Sequence, residues 1–229
     1  MFQRKETALK NTLTRYEAVL FDLDGTLLDT IADIAGAVNR ALEKNGFPGH
    51  PVETCRAFVG DGARTLISRA LPPGAATEDR IDRCLADFRA DYAQHWHLAT
   101  RPYPRIPELL DRLTGRGVRL AVLSNKPHEF TVKCIDRFLP GRPFEAVFGQ
   151  RENVPLKPDP SAALDIATRM KVRPSACLFV GDSPVDMKTG ASAGMRPVGV
   201  GWGFTDPDDL ARHVDDAIAA SPLDILALM

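Results

Sequence analysis

The sequence predicts an α/β fold in which helices cover an open parallel sheet, with an all-helical domain inserted near the start. From residue 118 onward, short apolar strands alternate with amphipathic helices, the pattern of parallel strands joined by crossover helices. One more apolar strand lies close to the amino terminus, at residues 18–22. Between these two regions stand about 95 residues without a strand pattern, far more than a crossover needs.

The predicted elements follow in chain order. The first strand, 18–22, ends at a pair of acids. Apolar residues at helical spacing then predict inserted helices over residues 31–46 and 81–92. Thr30 and Asp33 are expected to form a capping box at the first of them. The remaining strands and helices alternate, with strands at 118–124, 145–149, 176–182 and 196–201 and helices at 128–139, 161–170 and 184–194.

This pattern divides the chain into three parts. We expect an N-terminal tail over residues 1–15, an α/β core formed by 16–30 together with 101–229, and a helical cap over 31–100. Two prolines in the segment 101–104 make a stiff connection from the cap back to the core.

Composition narrows the function classes. The chain is 44% hydrophobic and 26% charged, with a net charge of -1 and no basic cluster, so binding to nucleic acid or to a membrane surface is not expected. The amino terminus lacks a signal-peptide pattern, which favours a cytoplasmic protein. The four cysteines stand far apart, without the spacing of a zinc site or a disulfide framework.

Polar residues follow four of the predicted strands, where ligands bind in open parallel sheets. These are Asp22 and Asp24 after the first strand, Ser124 and Asn125 after the second, Lys157 in the loop after the third, and Asp182 and Asp186 after the fourth. Apart from the Asp22/Asp24 pair, each has an ordinary structural explanation when taken singly. Ser183 and Asp186, for example, fit a capping box with a proline at the first helical position.

Together these residues indicate chemistry on a phosphoryl group. Carboxylates that converge at one sheet edge need a hard cation, and Mg²⁺ accepts carboxylates, waters and phosphate oxygens as ligands. A lysine and a serine hydroxyl supply charge and a hydrogen bond to the other phosphoryl oxygens. Asp22 is then placed as a nucleophile and Asp24 as a general acid and base, because a neighbouring negative charge raises its proton affinity.

Four ordered segments, FDLDGTLLD, LSNKP, LKPDP and GDSPVDM, resemble the motifs of the haloacid dehalogenase superfamily of phosphohydrolases, which have a Rossmann-like core. The resemblance implies that Asp22 is the nucleophile and a Mg²⁺ ligand, and that Asp24 is the acid/base whose backbone carbonyl also ligates Mg²⁺. It implies phosphate binding by Ser124 and Asn125 and charge neutralisation by Lys157. Asp182 would be a metal ligand, and Asp186 a ligand or an acid behind the ligands.

Further segments are similar to the phosphoglycolate phosphatase group of that superfamily, namely FVGDGARTLISRAL, RPYPRIPELLDRL and GVGWGF. This similarity implies hydrolysis of 2-phosphoglycolate to glycolate and phosphate through an aspartyl phosphate. Arg64, in the first of these segments, is our candidate for binding the substrate carboxylate, because a guanidinium binds a carboxylate with two parallel hydrogen bonds. Arg105 departs from the group's pattern, which has glycine there.

Other functions remain open at this stage. A phosphomutase, or a sugar-phosphate or pyrophosphate phosphatase, would use the same core motifs. A receiver-like module that binds phosphate without catalysis is a further alternative, although it lacks a cap and an acid at the position of Asp24. The expected partner is a small phosphate ester, with no nucleic acid or membrane, and the sequence leaves the oligomeric state open.

Overall fold

The computed structural model describes residues 16–214 and 218–229, so the predicted tail, 1–15, lies outside the described residues. A five-stranded parallel sheet forms the centre of the molecule, with strand order β5-β4-β1-β6-β7. The α/β prediction is confirmed, and all five predicted strands are present. They are β1 (Ala18–Phe21), β4 (Arg119–Pro127), β5 (Phe144–Gln150), β6 (Cys177–Gly181) and β7 (Arg196–Gly199).

The central strands are apolar because both faces of the sheet are covered. Along β1, Val19 and Phe21 point into one buried cluster, whereas Ala18 and Leu20 point into another on the opposite face. All four side chains are 0% exposed. This two-sided burial is typical of a parallel sheet between helical layers. The helices of these layers are α5 (Ile106–Gly115), α6 (His128–Phe138), α7 (Ser161–Arg169), α8 (Pro184–Ser192) and α9 (Pro207–Leu210).

Between the first strand and the rest of the sheet lie four helices with an apolar cluster of their own. They are α1 (Ile31–Lys44), α2 (Val52–Arg56), α3 (Ala63–Ala70) and α4 (Glu78–His95). Ile34, Val38 and Leu42 share one side of α1 at helical spacing, and they pack with Leu85 and Phe88 of α4 in that cluster. No helix among residues 16–214 and 218–229 is long and apolar enough to cross a membrane.

The connections of these helices to the sheet differ from the sequence prediction. Two short strands, β2 (Leu28–Asp29) and β3 (Arg101–Pro102), pair antiparallel at the point where the chain leaves and returns. The capping box predicted for Thr30 and Asp33 is wrong. Thr30 Oγ1 donates to Asp24 Oδ1 at 2.8 Å instead of capping α1. Asp33 accepts hydrogen bonds from the backbone N–H groups of Ala99 and Thr100.

Arg105 occupies a backbone conformation that favours glycine. Its φ is 67°, in the left-handed region, at the residue that precedes α5. The resemblance described above led us to expect a glycine at this position. The positive φ of Arg105 gives the physical reason for that expectation. The guanidinium of Arg105 contributes only an exposed ion pair with Glu108.

Candidate active site

The strand order brings the predicted residues to one edge of the sheet. Because β1 lies between β4 and β6, Asp22 follows its strand next to Asp182, which follows β6. These carboxyl ends face one cavity, between the sheet edge and the inserted helices. The residues predicted from the sequence that line it are Asp22, Asp24, Ser124, Asn125, Lys157 and Asp182.

Three carboxylates form a cluster that could hold a metal ion. Oxygens of Asp22, Asp182 and Asp186 lie within 4.8 Å of one another, and all three residues are buried. Burial raises the pKa of Asp22 from 3.8 to about 7, and Lys157 opposes that rise. The pKa of Asp182 is also raised, first by burial and then by the negative charges of Asp186 and Asp22. A cation at this position would offset both effects.

Lys157 is the cation in contact with this cluster. Its Nζ lies 2.8 Å from Asp22 Oδ1 and 2.7 Å from Asp186 Oδ1, with the lysine side chain 3% exposed. Burial opposes the charge on Lys157, but the two carboxylates outweigh it and the pKa of the ammonium is raised. The ammonium therefore lies at hydrogen-bond distance from Asp22 Oδ1, and a carboxylate oxygen can accept a further partner such as a metal ion.

Both carboxylate oxygens of Asp186 accept hydrogen bonds from other residues of the protein. Its Oδ2 accepts hydrogen bonds from the backbone N–H and the hydroxyl of Ser183, completing the capping box at α8 that the sequence predicted. Its Oδ1 accepts from Lys157. The sequence suggested two roles for Asp186, as part of a helix cap and as a member of the acidic cluster. In the structure its side chain has both positions at once.

The carboxylate of Asp182 accepts hydrogen bonds from two residues that the sequence analysis did not assign to the site. The backbone N–H of Phe204 donates to its Oδ2 at 2.7 Å, and Thr26 Oγ1 donates to its Oδ1 at 3.3 Å. Gly25 has a φ of 85°, and a Cβ there would lie 2.3 Å from Asp182 Oδ2. Only glycine lets the loop after Asp24 pass so close to this carboxylate.

Asp24 contacts a lysine that the sequence reasoning missed. Lys126 Nζ lies 2.9 Å from Asp24 Oδ1, and the two side chains are 4% and 11% exposed. Lys126 stands in the segment LSNKP, directly after the two residues that were assigned a role. Its position in that motif was the available signal. The carboxylate of Asp24 points to Lys126 and Thr30, outside the cluster of Asp22, Asp182 and Asp186.

Ser124 and Asn125 lie inside β4, because this strand continues to Pro127 and does not end before them. Ser124 lines the cavity with its side chain buried. The amide of Asn125 is instead engaged with the protein, through hydrogen bonds to the backbone of Lys157 and Gly60.

Comparison with known proteins identifies the family of this chain. The family model for haloacid dehalogenase-like hydrolases matches residues 16–194. The chain belongs to the haloacid dehalogenase-like hydrolase family. It is 36% identical to a phosphoglycolate phosphatase of Pseudomonas putida over 95% of this chain and 82% of that protein. A phosphoglycolate phosphatase of Psychrobacter arcticus is 32% identical over 86% of this chain and 88% of its own length.

Solved structures of this family share the fold. One from Lactobacillus delbrueckii subsp. bulgaricus has a TM-score of 0.89 at 30% identity, covering 94% of this chain and 99% of that one. A predicted phosphoglycolate phosphatase from Haemophilus somnus has a TM-score of 0.86 at 29% identity, with coverages of 94% and 99%. Family membership confirms the expectation of an enzyme of the hydrolase class, and the relatives support its assignment as a phosphoric monoester hydrolase.

The hydrolase does not present Arg64 to its cavity. The guanidinium pairs with Glu78 and Asp82 of α4, and about half of its side chain is exposed. The arginines that do line the cavity are Arg56, at the end of α2, and Arg89, on α4. Helical spacing alone does not show which side of α3 faces the sheet, and the role of Arg64 as a carboxylate ligand stays a prediction.

The inserted helices give this hydrolase an apolar wall opposite the carboxylates. Tyr92 is 4% exposed, and its ring lies 4.9 Å from Lys126 Nζ. An apolar wall lowers the local dielectric and so strengthens the charge interactions of the cluster. The inserted segment contributes Ile34, Val59, Leu66 and Phe88 to this wall, and two residues outside that segment, Phe130 of α6 and Phe204 after β7, also line the cavity.

Proposed function

We propose that this hydrolase is a Mg²⁺-dependent phosphatase that converts 2-phosphoglycolate to glycolate and phosphate. The contact between Asp22 and Lys157, beside Asp182 and Asp186, is the observation that carries the proposal. In this proposal Asp22 is the nucleophile, Lys157 is the buried cation that supports it, and the neighbouring carboxylates are the metal ligands around the same position. The phosphoglycolate phosphatases of Pseudomonas putida and Psychrobacter arcticus support the choice of substrate.

Asp22 and Asp182 would hold the metal, together with the backbone carbonyl of Asp24. The oxygen-only donor set of the carboxylate cluster suits Mg²⁺. When bound, Mg²⁺ supplies positive charge to the phosphoryl oxygens and keeps Asp22 ionised. Asp186, whose oxygens already accept hydrogen bonds, would act behind these ligands by fixing Lys157.

The reaction would proceed in two steps. A carboxylate oxygen of Asp22 attacks phosphorus, and the bond from phosphorus to the ester oxygen breaks. The leaving oxygen takes a proton from the carboxyl group of Asp24, which must first bind that proton and turn from Lys126 towards the cavity. Asp24 then takes a proton from water, which attacks the aspartyl phosphate and releases phosphate, restoring Asp22. Lys157 and the hydroxyl of Ser124 would bind the phosphoryl oxygens during both steps.

Phosphate release from a panel of esters tests this function. Metal-depleted protein is assayed with 2-phosphoglycolate, sugar phosphates, pyrophosphate and an aryl phosphate, with and without Mg²⁺. We expect the highest kcat/KM for 2-phosphoglycolate and activity only with Mg²⁺. Asp22→Asn should lose at least about a hundredfold in kcat. Asp29→Asn, which removes an exposed pair with Arg101 outside the cavity, serves as the control.

Two results would contradict the proposal. Isomerisation of a sugar phosphate without free phosphate would identify a phosphomutase. Stable phosphorylation or phosphate binding without turnover would identify a module that binds phosphate and does not catalyse its release.

A further inference from the structure

The amide of Asn125 makes three hydrogen bonds to the protein backbone. Its Nδ2 donates to the carbonyl oxygens of Gly60 at 2.9 Å and Lys157 at 3.0 Å, and its Oδ1 accepts from the N–H of Lys157 at 2.9 Å. The residue is 5% exposed. Both N–H bonds of the amide are therefore used by backbone carbonyl groups of the protein.

Two of these bonds fix the backbone of the lysine in the site. The Asn125 amide pairs with the N–H and the C=O of Lys157 as a neighbouring strand would. From that fixed backbone the lysine side chain extends to Asp22 at 2.8 Å and to Asp186 at 2.7 Å. Catalytic charges act only within a narrow geometry, so the position of this backbone sets the position of the ammonium.

The third bond reaches the inserted helices. Gly60 lies in the loop between α2 and α3, and Gly60, Gly62 and Ala63 all line the cavity. Gly60 has a φ of 123°, a conformation that favours glycine, and its carbonyl oxygen accepts the hydrogen bond from Asn125. Asn125 thus joins the loop that covers the cavity to the residue that contacts the nucleophile.

We propose that Asn125 is a positioning residue that couples closure of the Gly60 loop to placement of the Lys157 ammonium. When the loop lies over the cavity, the bond to Gly60 orients the amide, and the amide orients the backbone of Lys157. When the loop moves away, the hydrogen bond from Asn125 to Gly60 breaks. The amide can then rotate, its hydrogen bonds to the backbone of Lys157 weaken, and the ammonium of Lys157 is less precisely positioned. In its kinetic part, this inference rests on the phosphatase function proposed above.

Two variants remove the coupling. Asn125→Asp keeps the shape and the acceptor for the Lys157 N–H but cannot donate to either carbonyl. Asn125→Ala removes all three bonds without adding a charge, and it decides the test if the buried carboxylate of Asn125→Asp prevents folding. The matched control is Asn39→Asp, because Asn39 makes the same paired contact with the backbone of His50, at 2.8 Å in both directions, away from the cavity.

Hydrogen–deuterium exchange without ligand and steady-state kinetics with an aryl phosphate form the experiment. In both Asn125 variants we expect amide exchange over residues 57–62 to rise about tenfold, the scale of one lost hydrogen bond, and kcat to fall at least about tenfold. In Asn39→Asp, exchange should rise near His50 while kcat stays within about twofold.

Three outcomes would overturn the proposal. Unchanged exchange over residues 57–62 in both Asn125 variants, with weaker phosphate binding, would make Asn125 a direct ligand of the substrate. Faster exchange with normal kcat would remove the link to Lys157. An equal loss of kcat in Asn39→Asp would show a general effect of stability. Because exchange needs no substrate, a wild-type protein without phosphatase activity would contradict the proposed function and leave this measurement valid.

Discussion

The ammonium of Lys126 lies 2.9 Å from Oδ1 and 3.1 Å from Oδ2 of Asp24, and both side chains are almost fully buried. The same ammonium lies over the ring of Tyr92, which belongs to the inserted helix α4. Burial opposes the charge of Lys126, but Asp24 and Tyr92 outweigh this effect and raise its pKa. Through Lys126, the proposed general acid Asp24 therefore interacts both with strand β4 and with helix α4 of the inserted segment.

Substitution of Lys126 tests this tie. Lys126→Met should lower the free energy of unfolding by about 3 kcal/mol, because it leaves a buried carboxylate without its cation. The double variant Lys126→Met/Asp24→Asn should recover part of this loss, since no uncompensated charge remains. Denaturant unfolding of the single and double variants measures both values. An additive loss in the double variant would show that the two side chains are energetically independent.

Asp24→Asn should separate substrates by their leaving groups. An amide cannot protonate an alkoxide, so turnover of 2-phosphoglycolate should fall by about a hundredfold or more. An aryl phosphate, whose leaving group needs less protonation, should lose much less in the first step. Single-turnover phosphorylation with both esters measures the difference. Equal large losses would rule out the general-acid role.

Stabilisation by Mg²⁺ should increase with pH. In the protein without metal, burial raises the pKa of Asp22 to about 7 and raises that of Asp182 as well. The folded state therefore keeps protons that the unfolded chain has released, and its stability falls as pH rises from about 4 to about 7. Mg²⁺ needs the ionised carboxylates, so it should raise Tm more at about pH 8 than at about pH 5.5. An equal rise at both values, or a full rise in Asp22→Asn, would contradict this assignment.

Recognition of the substrate carboxylate should depend on Arg56. This arginine lines the cavity and also pairs with Glu53 of its own helix, whereas Arg64 pairs with acids of α4 outside the cavity. Arg56→Met should lower kcat/KM for 2-phosphoglycolate by about 2 kcal/mol, or roughly thirtyfold, with little effect on an aryl phosphate that lacks a carboxylate. Arg64→Met should leave both substrates unchanged. A selective loss in Arg64→Met would restore the interpretation made from the sequence.

Replacement of Arg105 should stabilise the protein. Its φ of 67° is unfavourable for a side chain with a Cβ, so Arg105→Gly should add about 1 kcal/mol and raise Tm. Arg112→Gly, inside α5, is the matched control and should lower stability by a similar amount. Thermal unfolding of both variants measures the pair. A lower Tm in Arg105→Gly would mean that the exposed pair with Glu108 outweighs the backbone strain.

Much of the fold could be predicted from the sequence because the sheet is buried on both faces. Strands such as Ala18–Phe21 are continuous apolar runs, and the helices between them repeat apolar residues at helical spacing. The same regularity brought Asp22, Lys157 and Asp182 together, since residues after parallel strands share one edge of the sheet.

The features that were missed depend on distant parts of the chain. Thr30 and Asp33 have the spacing of a capping box. Instead, the hydroxyl of Thr30 donates a hydrogen bond to Asp24, and the carboxylate of Asp33 accepts one from the backbone N–H of Thr100. The same limit applies to Lys126, whose partner Asp24 is far away in sequence. Local spacing also cannot show that the guanidinium of Arg64 turns to Asp82 and away from the cavity.

The pairing of Leu28 with Pro102 and of Asp29 with Arg101 closes the inserted helices at their base. Asp33 adds hydrogen bonds to the backbone of Ala99 and Thr100 at the same point. The polypeptide therefore leaves the sheet region and returns to it at one place, so the inserted helices can change in length or sequence without altering the order of the strands that carry Asp22 and Asp182. On the proposed function, a change of substrate would mainly need new residues in the inserted helices, with the carboxylates at the strand ends retained.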